Sequence, residues 1–253
     1  MEAIKNNKSA EEYEKLIKEM RQLQATFLDN MSHELRTPIT VILGYAGILA
    51  DELEDPDLKE MAEIVLKSSN RLTESLNLLL DQSAIQSDSL QVEFEETELS
   101  KLIENSTNVY KPVAEDKNLK LEFINNCDSV KCRIDRKMFD KVMDNLLSNA
   151  IKYTKAGSIT VKLESINKEG KVYAKIDVAD TGIGIEEEKQ GLIFEAFRQV
   201  SEGMNRLYQG TGLGLSVTKK FVELMNGEIK VSSKLNEGTT FSIFFPADSF
   251  SSN

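Results

Sequence analysis

The sequence predicts a multidomain chain, an all-α antiparallel helical hairpin followed by an α+β sandwich. Three observations carry this reading. Apolar residues recur at steps of three and four through the first third, strand-like and helical stretches intermingle in the remainder, and a polar run separates the two regions. At 253 residues there is room for one to two domains and at least one substantial core. Residues 1–87 are assigned to the helical domain and residues 88–253 to the sandwich.

In the helical third, Tyr13, Leu16, Met20, Leu23, Phe27 and Met31 form a coiled-coil-like seam with Glu and Lys between them. The seam runs directly into Asn30–Pro38, so that segment belongs to a long helix. The acids and proline of Asp51–Pro56 mark a turn and a new helix start. Leu58, Met61, Val65, Leu72, Leu76 and Leu79 then repeat the helical spacing to about Ser83, and the polar stretch Ser83–Leu90 reads as the linker. Two such helices joined by a short turn make an antiparallel hairpin. One hairpin is too shallow to bury both apolar stripes, so pairing of two copies into a four-helix bundle, a homodimer, is expected. The alternative is that the stripe covers the second domain of its own chain.

Strands are expected at Gln91–Thr97, Leu119–Asn125, Lys131–Ile134, Ser158–Ser165, Val172–Asp180, Glu228–Ser233 and Thr239–Phe245. Asn167–Gly170 reads as a hairpin loop, and helices are expected over 99–116, 136–153 and 212–226. Such an order places the helices on one face of a sheet.

The net charge of −11 and the absence of a basic patch exclude a nucleic-acid partner. No apolar run approaches the roughly 18–20 residues of a membrane span; the longest, Ile39–Ala50, is interrupted by Thr40, Gly44, Tyr45 and Gly47. The first seven residues lack the apolar stretch of a secretory signal. The segment is therefore expected to be cytoplasmic and without membrane contact, although a longer parent chain could be membrane-anchored. Cys127 and Cys132 have no further Cys or His nearby, which excludes a zinc site. Buried thiols suit a cytosolic chain, and a bridge between adjacent strands is the alternative.

The single histidine, His33, stands in Asn30-Met-Ser-His-Glu-Leu-Arg-Thr-Pro38. Imidazole is a nucleophile near neutral pH whose second nitrogen a neighbour can orient. An ordinary helix histidine is the alternative, and four downstream segments weigh against it. In Asp140–Tyr153, Asn145 and Asn149 lie four apart on one helix face and Lys152 joins them. Carboxamide oxygens suit Mg²⁺ and a lysine suits phosphate; a plain amphipathic helix is the alternative. In Ile176–Ile185, a strand ends at Asp180 before Gly182 and Gly184, placing a carboxylate where it can accept from an exocyclic amine such as adenine's; an ordinary turn would look similar. Gly210-Thr211-Gly212-Leu213-Gly214 leads into a helix and offers backbone N–H groups to anions. No Lys-Ser or Lys-Thr follows, so it is not a P-loop, and no strand precedes it, so it is not a dinucleotide fingerprint. Phe194-Glu-Ala-Phe-Arg198 precedes Gln199–Gln209, which reads as a mobile lid, with plain packing the alternative for its rings.

Taken in order, His33 with its surroundings, Asn145–Tyr153, Asp180–Gly184, Phe194–Arg198 and Gly210–Gly214 resemble the phosphoacceptor, Asn, first Gly, Phe and second Gly boxes of sensor histidine kinases. The resemblance runs from about Leu23 to Pro246. It implies a dimeric hairpin joined to an ATP-binding domain of the histidine kinase/Hsp90-like type, transfer of the ATP γ-phosphoryl group to His33, and onward transfer to an aspartate of a response regulator receiver domain. It also implies that Asn145 and Asn149 hold Mg²⁺ and phosphates, that Lys152 and Tyr153 contact the nucleotide, and that Asp180 reads adenine. Gly182, Gly184, Gly210, Thr211, Gly212, Leu213 and Gly214 would shape the pocket. Glu34 can accept the second ring proton of His33, Arg198 can stabilise charge on the moving group, and Thr37 is similar to the hydroxyl that orients water for phosphatase action. Pro38 removes the donor to the Glu34 carbonyl, so a bend is expected just beyond His33. An ATPase or a protein serine kinase of the same nucleotide fold is the rival, but it would leave the His33 segment without a purpose.

Overall fold

The computed structural model describes residues 2–87, 89–127, 129–198 and 211–247. The expected lid and Gly210 lie outside them. The chain divides into two compact units, Met1–Leu90 and Gln91–Asn253.

The first unit is a pair of helices, α1 (Glu2–Glu52) and α2 (Pro56–Gln86). Asp55 starts α2: its Oδ1 accepts from the Asp57 and Leu58 amides at 2.9 and 3.2 Å, and Pro56 supplies a preset φ at the first helical position. The helix outruns its expected end because Ser83 is buried, and the Ser87 amide and hydroxyl both bond back to the Ser83 carbonyl at 3.0 Å. Tertiary packing there overrides the polar composition that read as linker. α1 passes through Pro38 as one helix, where the Thr37 and Thr40 hydroxyls donate to the His33 and Arg36 carbonyls. The seam between the helices is made of small side chains, Ser32, Ala46, Ala50, Ala62, Ser69 and Ser83, joined by Ile39. The large apolar residues point elsewhere: Leu23 is 71% exposed and Phe27 62%, with Ile48, Leu58, Met61 and Leu72 also exposed.

The second unit is built on a five-stranded mixed sheet. Its strands are β2 (Leu119–Asn125), β4 (Gly157–Lys168), β5 (Lys171–Asp180), β6 (Glu228–Lys234) and β7 (Gly238–Pro246), in the order β2-β4-β5-β7-β6. β2 runs parallel to β4 and every other pair is antiparallel. A separate ladder pairs β1 (Glu95–Glu98) with β3 (Lys131–Ile134). Helices α3 (Leu99–Asp116), α4 (Arg136–Tyr153) and α5 (Gly214–Leu224) complete the fold. Alternation along the strands buries Ile159, Val161 and Leu163, Ala174, Ile176 and Val178, and Phe241, Ile243 and Phe245. Phe139 of α4 meets Phe245 of β7 at 6.0 Å between ring centroids. The intervening strand residues are polar and linked to one another, with Lys175 and Ser242 both bonded to Asp177 at 2.6 Å. The helices thus cover one sheet face, as expected.

Three boundaries differ from expectation for identifiable reasons. β1 begins at Glu95, because the Glu93 amide is taken by the buried Asp135 carboxylate at 2.9 Å instead of by a ladder partner. α5 begins at Gly214 and not at residue 212, because Gly212 has φ 71°. It ends with Asn226 at φ 60° and the Gly227 amide bonded to the Val222 carbonyl at 2.8 Å, a Schellman close. The β4–β5 loop is the two-residue turn Glu169-Gly170, both with positive φ, which suits the sheet twist. Cys127 and Cys132 are both thiols; only Cys132 is fully buried, whereas Cys127 is half-buried.

Candidate nucleotide and phosphoacceptor sites

His33 is exposed on α1, between the buried Ser32 and the exposed Glu34. Arg36 reaches back to the Ser32 hydroxyl at 3.5 Å, and Thr37, one turn on, donates to the His33 carbonyl at 3.3 Å. The imidazole is therefore presented outward from a helix whose adjoining residue is anchored in the seam. Glu34 leaves the helix about 100° further round.

In the second unit, Asp135 begins α4, its Oδ1 accepting from the Met138 amide at 3.1 Å. The apolar face, including Phe139, Val142, Leu146 and Ile151, seats the helix on the sheet and turns Asn145 and Asn149 to the opposite side, both half-buried. Asn145 Nδ2 donates to Thr218 Oγ1 of α5 at 2.7 Å, and Asn149 Nδ2 donates to Asn145 Oδ1 at 3.2 Å. Gly214 closes this corner: a Cβ there would collide with Asn145 Oδ1, so only glycine lets the start of α5 approach. Lys152 lies with Nζ 5.0 Å from the Tyr153 ring centroid.

Asp180, at the end of β5, is half-buried and accepts from the Gly182 amide at 2.8 Å. Burial pushes its carboxyl above the ordinary aspartate range, against the opposing pull of the Gly182 and Thr239 backbone. The following loop is packed onto the end of α4, with the Ile183 amide on the Tyr153 carbonyl at 3.3 Å. A Cβ on Gly182 would lie 2.6 Å from that same oxygen. Gly184 has φ 67° and backs onto the Lys234 carbonyl, so both conformation and space require glycine.

The approach to α5 is equally close. Gly212 backs onto the Arg198 carbonyl, and its own carbonyl accepts from the Phe197 amide at 3.0 Å. The Leu213 amide meets Thr211 Oγ1 at 3.4 Å, and the Leu213 side chain is buried. The α5 N-terminus thus carries backbone N–H groups beside the paired carboxamides, the donor set an anionic phosphate chain requires. The aromatic segment divides. Phe194 packs edge-on against Phe241 at 6.3 Å with the Lys219 ammonium 5.5 Å from its centroid, whereas Phe197 is 64% exposed. Arg198 is exposed and pairs with Glu195 at 3.0 Å.

The structure therefore gathers Asn145, Asn149, Gly214 and Thr218 at one corner, and Tyr153, Asp180 and Gly182 at another. Arg198 and Gly212 adjoin through the backbone. His33, Glu34 and Thr37 lie in the other unit. Two contributors escaped the sequence reading. Thr218 is a buried hydroxyl on the otherwise apolar face of Val217, Phe221 and Val222, which was a usable signal. Ser233 accepts from the Ile185 amide at 2.8 Å, donates to the Gly238 carbonyl at 2.8 Å, and so clamps the loop after Asp180 to the β6–β7 turn. Gln190 adds a bond to the Ser233 carbonyl at 2.7 Å. No local pattern marks Ser233, because its partner lies 48 positions away.

Residues 134–249 match the histidine kinase-, DNA gyrase B-, and HSP90-like ATPase family, and residues 23–88 match the His Kinase A (phospho-acceptor) domain. The autoinducer 2 sensor kinase/phosphatase LuxQ of Vibrio vulnificus is 36% identical over 229 residues, 89% of this chain and 27% of LuxQ. Sensor protein SrrB of Staphylococcus aureus is 36% identical over 228 residues, 89% of this chain and 38% of SrrB. Full-length ShkA, crystallised with AMPPNP, shares the fold with a TM-score of 0.72 at 23% identity, over 88% of this chain and 46% of that one. The chain spans less than half the length of each of these relatives. With a phosphoacceptor domain matched over residues 23–88 and an ATPase domain over residues 134–249, in that order, the chain carries the two domains of a sensor histidine kinase catalytic core.

Proposed function

We propose that this chain phosphorylates its own His33 with the γ-phosphoryl group of ATP, passes that group to an aspartate of a response regulator receiver domain, and also accelerates that regulator's dephosphorylation. The observation that carries the reading is the chain's single imidazole, exposed on α1, in a protein whose second unit assembles paired carboxamides, a half-buried carboxylate and a glycine-bounded helix N-terminus.

Phosphoryl transfer asks for alignment and charge neutralisation more than for covalent help. Asp180, half-buried at the strand end, accepts from the exocyclic amine of adenine, and the desolvation that lifts its pKa also strengthens that bond. Lys152 and Tyr153 contact the nucleotide, while Gly182, Gly184 and the Thr211–Gly214 run shape the cradle, with Gly210 completing it on the lid side. Amide oxygens of the Asn145–Asn149 pair suit a magnesium ion, which when bound neutralises phosphate charge. A neutral ring nitrogen of His33 forms the new N–P bond as the bond from phosphorus to the ADP oxygen breaks. Glu34 takes the proton of the other nitrogen, and Arg198 steadies charge on the group in flight. In the second reaction the N–P bond breaks as the regulator's carboxylate attacks. Thr37, one turn from His33, orients the water that hydrolyses the regulator's acyl phosphate. A Thr37→Ala protein is expected to keep autophosphorylation and lose phosphatase activity; equal phosphatase rates would remove that role.

The large apolar residues left exposed on α1 and α2 support a homodimer that closes a four-helix bundle. Among the described residues no helix is long and apolar enough to cross a membrane, which suits work in the cytoplasm, where ATP and the regulator are found. Incubation with γ-labelled ATP and magnesium tests the central claim. Wild type should take up acid-labile label and His33→Gln none. Label that survives strong acid, or persists in His33→Gln, would turn the reading toward a serine kinase.

A further inference from the structure

We infer that Thr218 is a positioning residue for the metal-ligating carboxamide: its buried hydroxyl orients Asn145, Asn145 orients Asn149, and only Asn149 keeps an amide oxygen for a divalent cation. The inference rests on the nucleotide reading above and deepens it. A primary carboxamide carries an acceptor oxygen and a donor nitrogen on nearly identical arms, and only its partners decide which arm faces which way. A hard cation accepts the oxygen and is repelled by the amide hydrogens.

The row of bonds settles the orientation. Thr218 is 1% exposed, one turn into α5 from Gly214, and its Oγ1 receives Asn145 Nδ2 at 2.7 Å. That engages the nitrogen of Asn145 and turns its Oδ1 toward Asn149, whose Nδ2 it receives at 3.2 Å. With its nitrogen held, Asn149 presents Oδ1 outward. Reversing one amide reverses the next, and hydrogens would then face the phosphates. Gly214 makes the row possible, since any side chain there would strike Asn145 Oδ1. The phosphate-facing helix therefore sets the carboxamides of α4 through its own hydroxyl. Asn145 moves from metal ligand to orienting partner.

Thr218→Ser and Thr218→Ala in the full chain both remove a methyl group and differ by one oxygen. Binding of a fluorescent ATP analogue is measured across magnesium concentrations and in EDTA, alongside thermal melting. Thr218→Ser should stay within about twofold of wild type. Thr218→Ala should need about tenfold more magnesium for half-maximal binding, the scale seen when a partner behind a ligand is lost. Its metal-free affinity should be unchanged, because Asp180 is untouched. Equal magnesium requirements in the two variants, or equal weakening with and without metal, would overturn the inference alone. No binding of the ATP analogue by wild type, with or without magnesium, would remove the nucleotide reading and this inference with it.

Discussion

The two units solve opposite problems with their apolar residues. In the sandwich, strand alternation and the inner faces of α3, α4 and α5 converge on one core, so that Phe139, Phe221 and Phe245 are almost wholly buried. In the helical unit the helices touch mainly through alanine and serine, and many of the large apolar side chains, Leu23, Ile48, Leu58, Met61 and Leu72 among them, are exposed. The sandwich is complete in itself, and its candidate site is held by close backbone approaches and side-chain relays. The helical unit presents the His33 ring on its surface and leaves large apolar side chains exposed beside it. On the proposed function, a chemical step requiring a changing set of neighbours falls to this open unit, and recognition requiring fixed geometry to the closed one.

The sharpest way to break this contrast is at Gly184. A Cβ there meets the Lys234 carbonyl in a conformation with φ 67°, so Gly184→Ala should cost the sandwich about 3 kcal/mol. The melting transition of the sandwich should fall while helical circular dichroism from α1 and α2 persists; an unchanged melt would mean that the loop yields freely. Next in size is Asp180→Asn, expected to weaken ATP binding by about 10- to 100-fold, the worth of a hydrogen bond to a charged acceptor. Isothermal titration reads this directly, and retained affinity would show that the closed unit does not read the base there.

A third test addresses the open unit. Leu72 is 55% exposed on α2, and Leu72→Glu should weaken self-association by about 2 kcal/mol if a second copy covers that face. Sedimentation at several concentrations would show more monomer, with nucleotide affinity unchanged. The smallest effect concerns pH. Burial lifts the Asp180 carboxyl, so the folded chain holds that proton more tightly than the unfolded chain does. The resulting cost to stability is absent in acid and appears as pH rises through the raised value. Nucleotide binding runs the other way, since it needs the ionised acceptor. Affinity should therefore begin to fall at a higher pH than an ordinary aspartate would produce, and Asp180→Asn should flatten the profile.

Elements whose pattern is local were legible in the sequence. β2, β3, α3 and α4 lie where alternation or helical spacing placed them, and the hairpin turn at Glu169-Gly170 falls within its expected loop. Relations between distant segments were not. That β2 runs parallel beside β4 while every other pair in the sheet is antiparallel depends on how β3 and α4 carry the chain from one to the other, which no single segment encodes. The same holds within the site. The glycines announced themselves by composition, but the reason for Gly214 is the Asn145 side chain, and the partner of Asn145 is 73 positions further on. The early end expected for α2 failed because a serine-rich run reads as polar until the buried side of Ser83 is known.

The β4–β5 turn has a practical consequence. Glu169 and Gly170 form the tip of a ladder whose far end is Asp180, about 30 Å away along the ten-residue strand β5. A fluorophore or surface tether attached at that tip would ride on a stiff ribbon, distant from the proposed nucleotide cradle. Immobilised there, the protein would keep the proposed cradle open to solvent, and nucleotide occupancy could be followed in single molecules without altering any residue assigned to it.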